Sequence, residues 1–427
     1  MAQVSVTGYT DKPSVVEGET ISFFVTADNA TEAQVDIVRL IHGDEDPKGP
    51  GFQEVVVQSD FSGKKPVKKQ FVDLGNAVRV KDPSGKLDLT DSFSMSSYVF
   101  ATTPEKGRQV LLGKFSLHET AGYALGLDPK GRLAFWIANG SDTDEIVSQV
   151  PLAHHTWYFV AVSFDAKSGN TILHQEAIVN PYNGRLGLVA PFDHTCSVEQ
   201  NLRLKITSAT TDFMWAAASN SATVRGPYKD LLFNGKIDRS NVWNRALSLA
   251  EIKSQCCADP ISDGLIAAWD TTEGYGENGI GDTVVDVSSN QLHGEGVQRP
   301  IRAMTGYNWS GKHDDWRVAP KEYGGIAFHD DSVIDCEWDE TFRWTVPAGL
   351  KSAAYAARIR IGDVEDHIPF FVRAAKPKAR ILYLYPTSSY LAYANEMIVH
   401  HVPVAQAIGS HPAVLTKTEA DYFRIQS

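Results

Sequence analysis

The chain has 427 residues, too many for one ordinary core, and at roughly 150 residues per domain it calls for about three. Hydrophobic residues make up 43% and charged residues 22%, a balance that excludes a disordered chain. The formal net charge is −12 and no Lys/Arg stripe stands out, so nucleic acid and anionic membranes lack their main attraction and neither is expected as a partner.

No stretch of about 18 apolar residues occurs, so no membrane span is expected. Met1–Val6 has neither the basic nor the apolar region of a signal peptide. The four cysteines, Cys196, Cys256, Cys257 and Cys336, show no CxxC spacing, which argues against a zinc site or a secreted disulfide framework. A cytoplasmic protein with reduced thiols is the expectation.

In chain order, Val4 to Leu40 reads as short strands, with Ile21-Ser22-Phe23-Phe24-Val25 rich in β-formers and a turn at Val15–Thr20. A loop rich in Gly and Pro follows from Gly43 to Gly51. Three strands or so cannot close a sandwich, so this region needs more strands from elsewhere. From Lys69 to Trp309 strand-like segments recur at short intervals. Phe93–Phe100 is one. Tyr123–Leu127 and Leu133–Ile137 form a hairpin around Asp128-Pro129-Lys130-Gly131. Trp157–Asp165 alternates large apolar residues at period two. This density of strands argues for a two-sheet sandwich.

Two stretches resemble the laminin-G or concanavalin-like jelly roll. One is Phe233–Asp238 followed by Val242–Ser248 and Glu251-Ile252; the other is Gly264–Asp270 continuing into Val285–Gly294. Beyond them, Trp344–Leu350, Tyr355–Ile361 and Asp366–Val372 read as strands that complete the first sandwich. After the linker Arg373–Lys378, the continuous apolar run Ile381–Tyr385 suits a strand buried on both faces. Pro386-Thr387-Ser388-Ser389 supplies a turn and a cap, and Tyr390–Ile408 reads as helix, with Pro403 as a break.

The fold expected is mainly β. An immunoglobulin-like sandwich is split between residues 1–65 and 310–375, and a concanavalin- or laminin-G-like jelly roll occupies 66–309. Residues 379–427 are the first βα unit of an α/β catalytic domain. One strand and one helix make no core, so this domain is expected to be truncated.

Enzyme signatures are absent from the sandwich regions: no GxSxG, HExxH, P-loop or Rossmann fingerprint occurs in a supporting context. Phe328-His329-Asp330-Asp331 with Asp335-Cys336-Glu337 is dense in metal-ligand types, but carboxylates in a turn-rich loop ordinarily cap backbone groups. His154-His155 and His400-His401 are adjacent pairs whose side chains diverge. Cys256-Cys257 is read as ordinary burial rather than redox chemistry. The βα junction differs, because ligands of open α/β folds gather beyond the strands' carboxyl ends. Tyr385, Thr387, Ser388, Ser389, Tyr390 and Tyr393 fall there, although Tyr390 and Tyr393 are also spaced for plain aromatic packing on one helix face.

Ser389-Tyr390-Leu391-Ala392-Tyr393-Ala394-Asn395-Glu396 resembles the AYAN motif of the N,N-dimethylformamidase large (beta) subunit family. Arg39–Asp44, Phe328–Asp331, Val346–Ser352 and Asp366–Val372 resemble the same family. The likeness runs through the whole chain, with matching domain order. The resemblance implies an iron-dependent amidase that hydrolyses small amides such as dimethylformamide to formate and dimethylamine. It implies a mononuclear Fe3+ held by two tyrosines and a glutamate, with Tyr393 as the first ligand and the other two beyond residue 427. Tyr390, Ser389 and Asn395 become pocket residues, and no catalytic residue is assigned. A small helical partner subunit and a hetero-oligomer follow from the same resemblance. The isolated chain is expected to be inactive. The alternative is a carbohydrate-binding or non-catalytic scaffold protein built on the jelly roll.

Overall fold

The computed structural model describes residues 4–43, 48–183, 195–220, 229–276, 279–376 and 379–392. The fold is mainly β, and the chain divides into two compact units, Met1–Val72 with Glu337–Ser427, and Asp73–Cys336.

The smaller unit pairs strands from the two ends of the sequence. Thr20–Asp28 lies antiparallel between Ser5–Thr10 and Phe342–Thr345. Its residues alternate, so that Ile21, Phe23, Val25 and Ala27 are buried while the residues between them are only half covered. In the second sheet Ala353–Ile361 lies between Val364–Arg373 and Glu32–His42, with Ile359 opposite Val35. The apolar faces meet around Phe23 and Phe370, whose rings are 5.7 Å apart and edge to face.

The other face of the second sheet carries charge. Arg358 donates to Asp36 at 3.0 Å and also binds Glu54. Arg360 reaches Asp36 at 2.9 Å, and His367 meets Glu54 at 2.8 Å. Residues more than 300 positions apart thus share one ion cluster.

In the larger unit, a sheet around Ala121–Leu127, Gln109–Ser116 and Arg132–Asn139 meets another around Phe93–Ala101, Trp157–Phe164 and Gly235–Trp243. Further short strands link the two sheets into a closed circuit. The predicted hairpin forms because Asp128 accepts from the backbone of Lys130 and Arg132 while its other oxygen binds the Arg132 guanidinium. Gly131 takes the left-handed conformation that closes the turn, at φ 72°. Phe93 sits at the centre, fully buried, with Tyr123, Phe164 and Phe135 rings at 4.7, 5.8 and 5.9 Å.

Trp157–Phe164 departs from a one-sided strand. All eight residues are buried. Tyr158, Val160, Val162 and Phe164 enter the central core. Trp157, Phe159 and Ala161 pack instead with Trp243, Leu247 and Ile252, the last on the helix Leu249–Ser254. The period-two pattern is real, but that outer cluster covers the second face as well.

Two expectations are corrected. Residues 310–336 belong with the larger unit, because Gly325–Phe328 pairs with Gly235–Trp243, placing Phe328 opposite Gly235 and Ile326 opposite Ile237. Ile381–Tyr385 is not a strand: it pairs with none among the described residues, and Ile381, Leu382 and Leu384 are each 86% exposed. An apolar run becomes a buried strand only where neighbours supply hydrogen bonds and cover. The helix that follows starts earlier than predicted, at Thr387–Ala392.

Candidate functional site

Pro386 fixes the chain just before the helix, where its missing N–H costs nothing. Thr387 N–H donates to the Tyr385 carbonyl at 2.9 Å and Ser389 N–H to the Pro386 carbonyl at 3.1 Å. The Tyr385 ring lies 4.1 Å from that of Phe371, which anchors the segment to the end of Val364–Arg373. Ser389 is exposed on the first turn. Tyr390 follows it within the same helix. Tyr393 and Asn395 lie outside the described residues, as does His400-His401. The structure therefore places Ser389 and Tyr390 on one helical turn beyond an anchored tyrosine.

The remaining sequence candidates do not converge. Asp330 pairs with Lys106 at 2.5 Å, and its N–H donates to the Asn234 side chain at 2.8 Å. The His329 N–H donates to Asn76 at 2.8 Å. Burial works against the Asp330 carboxylate, but Lys106 and Asn234 outweigh it and hold its pKa below the ordinary range. His154 faces Glu105 at 3.7 Å, and the His155 N–H bonds the Ala101 carbonyl at 2.8 Å. Among the described residues, no three His, Cys, Asp or Glu side chains gather in a way that could hold a metal ion. Cys256-Cys257 corrects the expectation of burial: Cys257 is exposed and Cys256 is half-buried.

Two polar features went unread in the sequence. A cleft of about 410 Å3 is lined by Lys106, Arg108, Lys229, Asp330 and neighbouring leucines. Its cations are matched, Lys106 by Asp330, Arg108 by Glu145 at 2.7 Å and Lys229 by Asp73. This cleft offers complementary ion pairs rather than a charge held ready for a substrate.

The second feature surrounds Asp238, which is fully buried in the strand Gly235–Trp243 and accepts from the Thr271 hydroxyl at 2.6 Å. Burial pushes its pKa up, while Arg239 and Thr271 pull the other way. Arg239 donates to the Tyr307 hydroxyl at 3.0 Å, and Tyr307 stacks on Tyr98 at 3.6 Å. Burial raises the pKa of both phenols, so they stay protonated and neutral rather than acting as anionic ligands. Lys236, on the same strand as Asp238 and bonded to Thr305, is lowered to about 8, mainly by burial. The signal that could have found this cluster is the charged triplet Lys236, Asp238 and Arg239 within an otherwise core-forming strand.

Comparison with known proteins adds a consistent set of findings. The family model described as "N,N-dimethylformamidase beta subunit-like, C-terminal" matches residues 301–420, which include Ser389, Tyr390, Tyr393 and Asn395. The model of the concanavalin A-like lectin/glucanases superfamily matches residues 73–175, in the larger unit. A curated N,N-dimethylformamidase beta subunit of Paracoccus aminophilus is 39% identical over 433 aligned residues, covering 99% of this chain. One from Alcaligenes sp is 38% identical over 431, again across 99% of the chain. The chain spans 56% of the length of each. Among solved structures, the CBM40 of a Ruminococcus gnavus sialidase is 15% identical, covering 44% of this chain and 96% of that one, at a TM-score of 0.32. That is too distant a likeness to bear on function.

Proposed function

Since the chain belongs to the N,N-dimethylformamidase beta-subunit family, we propose that it supplies part of an iron-dependent amidase acting on small N-substituted amides, with formate and dimethylamine as the products from dimethylformamide. The observation that carries this reading is identity of 38–39% sustained over 99% of the chain.

Tyr393 is the proposed iron ligand in this sequence, and Ser389, Tyr390 and Asn395 are proposed to line the pocket. Among the described residues, no three His, Cys, Asp or Glu side chains gather in a way that could hold the iron. With 56% of each relative spanned, the second tyrosine and the glutamate are proposed to lie in the part of the whole protein that this chain does not cover. A phenolate is a hard anionic donor suited to Fe3+, and a ferric ion there would supply Lewis-acid polarisation of the amide carbonyl. A small helical subunit, a hetero-oligomeric assembly and a cytoplasmic setting complete the proposal. No helix among the described residues is long and apolar enough to cross a membrane.

The test is Tyr393→Phe in the whole protein, with Tyr390→Phe beside it. Iron content, the visible phenolate-to-iron absorption and dimethylamine release are measured together. The expected result is loss of all three in Tyr393→Phe and retention of the absorption in Tyr390→Phe. Full iron occupancy in Tyr393→Phe defeats the assignment. The 427-residue chain alone is expected to release no dimethylamine.

A further inference from the structure

The vicinal cysteines are absorbed by neither the fold nor the amidase reading. They follow directly on the helix Leu249–Ser254, which is fixed at its start by a reciprocal cap between Ser248 and Glu251. The Cys256 N–H bonds the Lys253 carbonyl at 3.3 Å, and the half-buried Cys256 packs against the cluster that holds Trp157, Phe159 and Tyr307. The Cys257 N–H donates to the Tyr98 hydroxyl at 2.7 Å, and that residue adopts the left-handed conformation, φ 60°. Both backbones are pinned, and both sulfurs turn to the same side, 3.8 Å apart. Cys257 is exposed.

That spacing selects among the chemistries open to two thiols. A disulfide needs Cα atoms roughly 4.4–6.8 Å apart, whereas neighbours across a trans peptide stand about 3.8 Å apart. Closing a bond between them strains the backbone. A tetrahedral centre with metal–sulfur bonds of about 2.3 Å, by contrast, spans two sulfurs about 3.8 Å apart. The pair stands at that bite, and a pyramidal trivalent centre, whose narrower angle draws its two sulfurs somewhat closer, is reached by a small side-chain rotation. Zinc also wants further protein ligands, and among the described residues no third His, Cys, Asp or Glu joins the cluster.

We propose that Cys256 and Cys257 form a dithiol site for thiophilic centres satisfied by two protein sulfurs, the chemical class being monosubstituted trivalent arsenicals. With an arsenoxide, two As–S bonds replace the bond to oxygen. Both thiol protons leave with that oxygen as one water, and arsenic stays trivalent. The Cys256 thiol donates to the Cys257 sulfur and lowers Cys257 to about 7, which supplies the attacking thiolate near neutrality, while the pKa of Cys256 is raised by the same contact. This inference is independent of the amidase reading.

The test adds phenylarsine oxide to the purified chain and follows intact mass. One phenylarsenic adduct per chain is expected, stable to a monothiol and removed by a dithiol. Chelation by two sulfurs gains about 100-fold or more over one, so Cys257→Ser and Cys256→Ala should each weaken uptake by at least that factor. A variant lacking Cys196 and Cys336 should keep it. Alkylating Cys257 in the unmutated pair gives an arm free of any folding defect and should abolish the adduct. No uptake by the wild-type chain at equimolar reagent, or a monothiol-resistant adduct in either single variant, overturns the proposal.

Discussion

Arg358 offers a quantitative probe of how the smaller unit is held together. Its guanidinium bridges two carboxylates, Asp36 on the neighbouring strand and Glu54 beyond it, and the side chains are only 13%, 9% and 14% exposed. Replacement by Met keeps the stem that packs on the sheet but removes the charge. Breaking a buried pair costs about 3–5 kcal/mol. Arg360 remains on Asp36 and His367 on Glu54, so the low end, about 3 kcal/mol, is expected here.

The cost must also depend on pH. Burial raises the pKa of Asp36, but Arg358 and Arg360 outweigh it, so the folded value lies below the ordinary one. A depressed carboxylate stabilises the fold above its unfolded pKa, about 3.9, and loses that contribution as pH falls through the folded value. Without Arg358 the carboxylate can escape its penalty by taking up a proton. The difference between wild type and Arg358→Met should therefore be full at neutral pH and shrink below about pH 4. Hydrogen exchange of Ala353–Ile361 and Glu32–His42 reads the local opening free energy without assuming that the whole chain unfolds in one step. A loss under about 1 kcal/mol, in the range of a surface pair, or a loss unchanged between neutral and acid pH, refutes the reasoning.

Two further outcomes are expected. Phe93→Ala should destabilise the larger unit by about 3–5 kcal/mol, because four aromatic rings meet there with no exposure and no easy way to collapse; urea unfolding followed by tryptophan fluorescence measures it, and a shift under about 1 kcal/mol contradicts the packing. Glu251 is lowered to about 2 by the Arg245 guanidinium and by the Ser248 N–H and hydroxyl, so its support of the helix cap is present above the unfolded value of about 4.3 and is lost as pH drops towards 2. Carboxylate NMR titration checks this, and an ordinary value for Glu251 removes the reciprocal cap.

Much of the fold was legible because strand periodicity and turn chemistry are local. Asp128-Pro129-Lys130-Gly131 announces its hairpin, and the side chain and backbone of those residues make the turn. Ile21-Ser22-Phe23-Phe24-Val25 is rich in β-formers and falls within the strand Thr20–Asp28. What sequence left out is non-local. Residues 310–336 read as part of the outer sandwich because nothing in them shows that Gly325–Phe328 will pair with Gly235–Trp243. Trp157–Phe164 shows its alternation but not that its second face is covered by the cluster around Ile252. Ile381–Tyr385 has the composition of a buried strand, and composition cannot state whether a sheet is there to receive it.

The site divides along the same line. Cys256-Cys257 was visible as a doublet, yet burial was the reasonable expectation, since free cysteines are commonly interior. Exposure depends on the left-handed turn at Cys257 and on its N–H bond to Tyr98, a residue 159 positions away. The acidic residues near His329 are ligand types and read as backbone caps, because ligand types are local whereas convergence is a property of partners. Lys106 and Asn234 occupy Asp330 from distant parts of the chain and leave it as an ion pair and a loop anchor. Among the described residues, buried phenols such as Tyr98 and Tyr307 are likewise held neutral by burial and committed to other groups. A tyrosine that is to serve Fe3+ must have the opposite surroundings, open to the ion and free to lose its proton. In this sequence the AYAN-like segment beyond Pro386 is where such a phenol is proposed, and that is why the amidase assignment is staked on Tyr393 rather than on either sandwich.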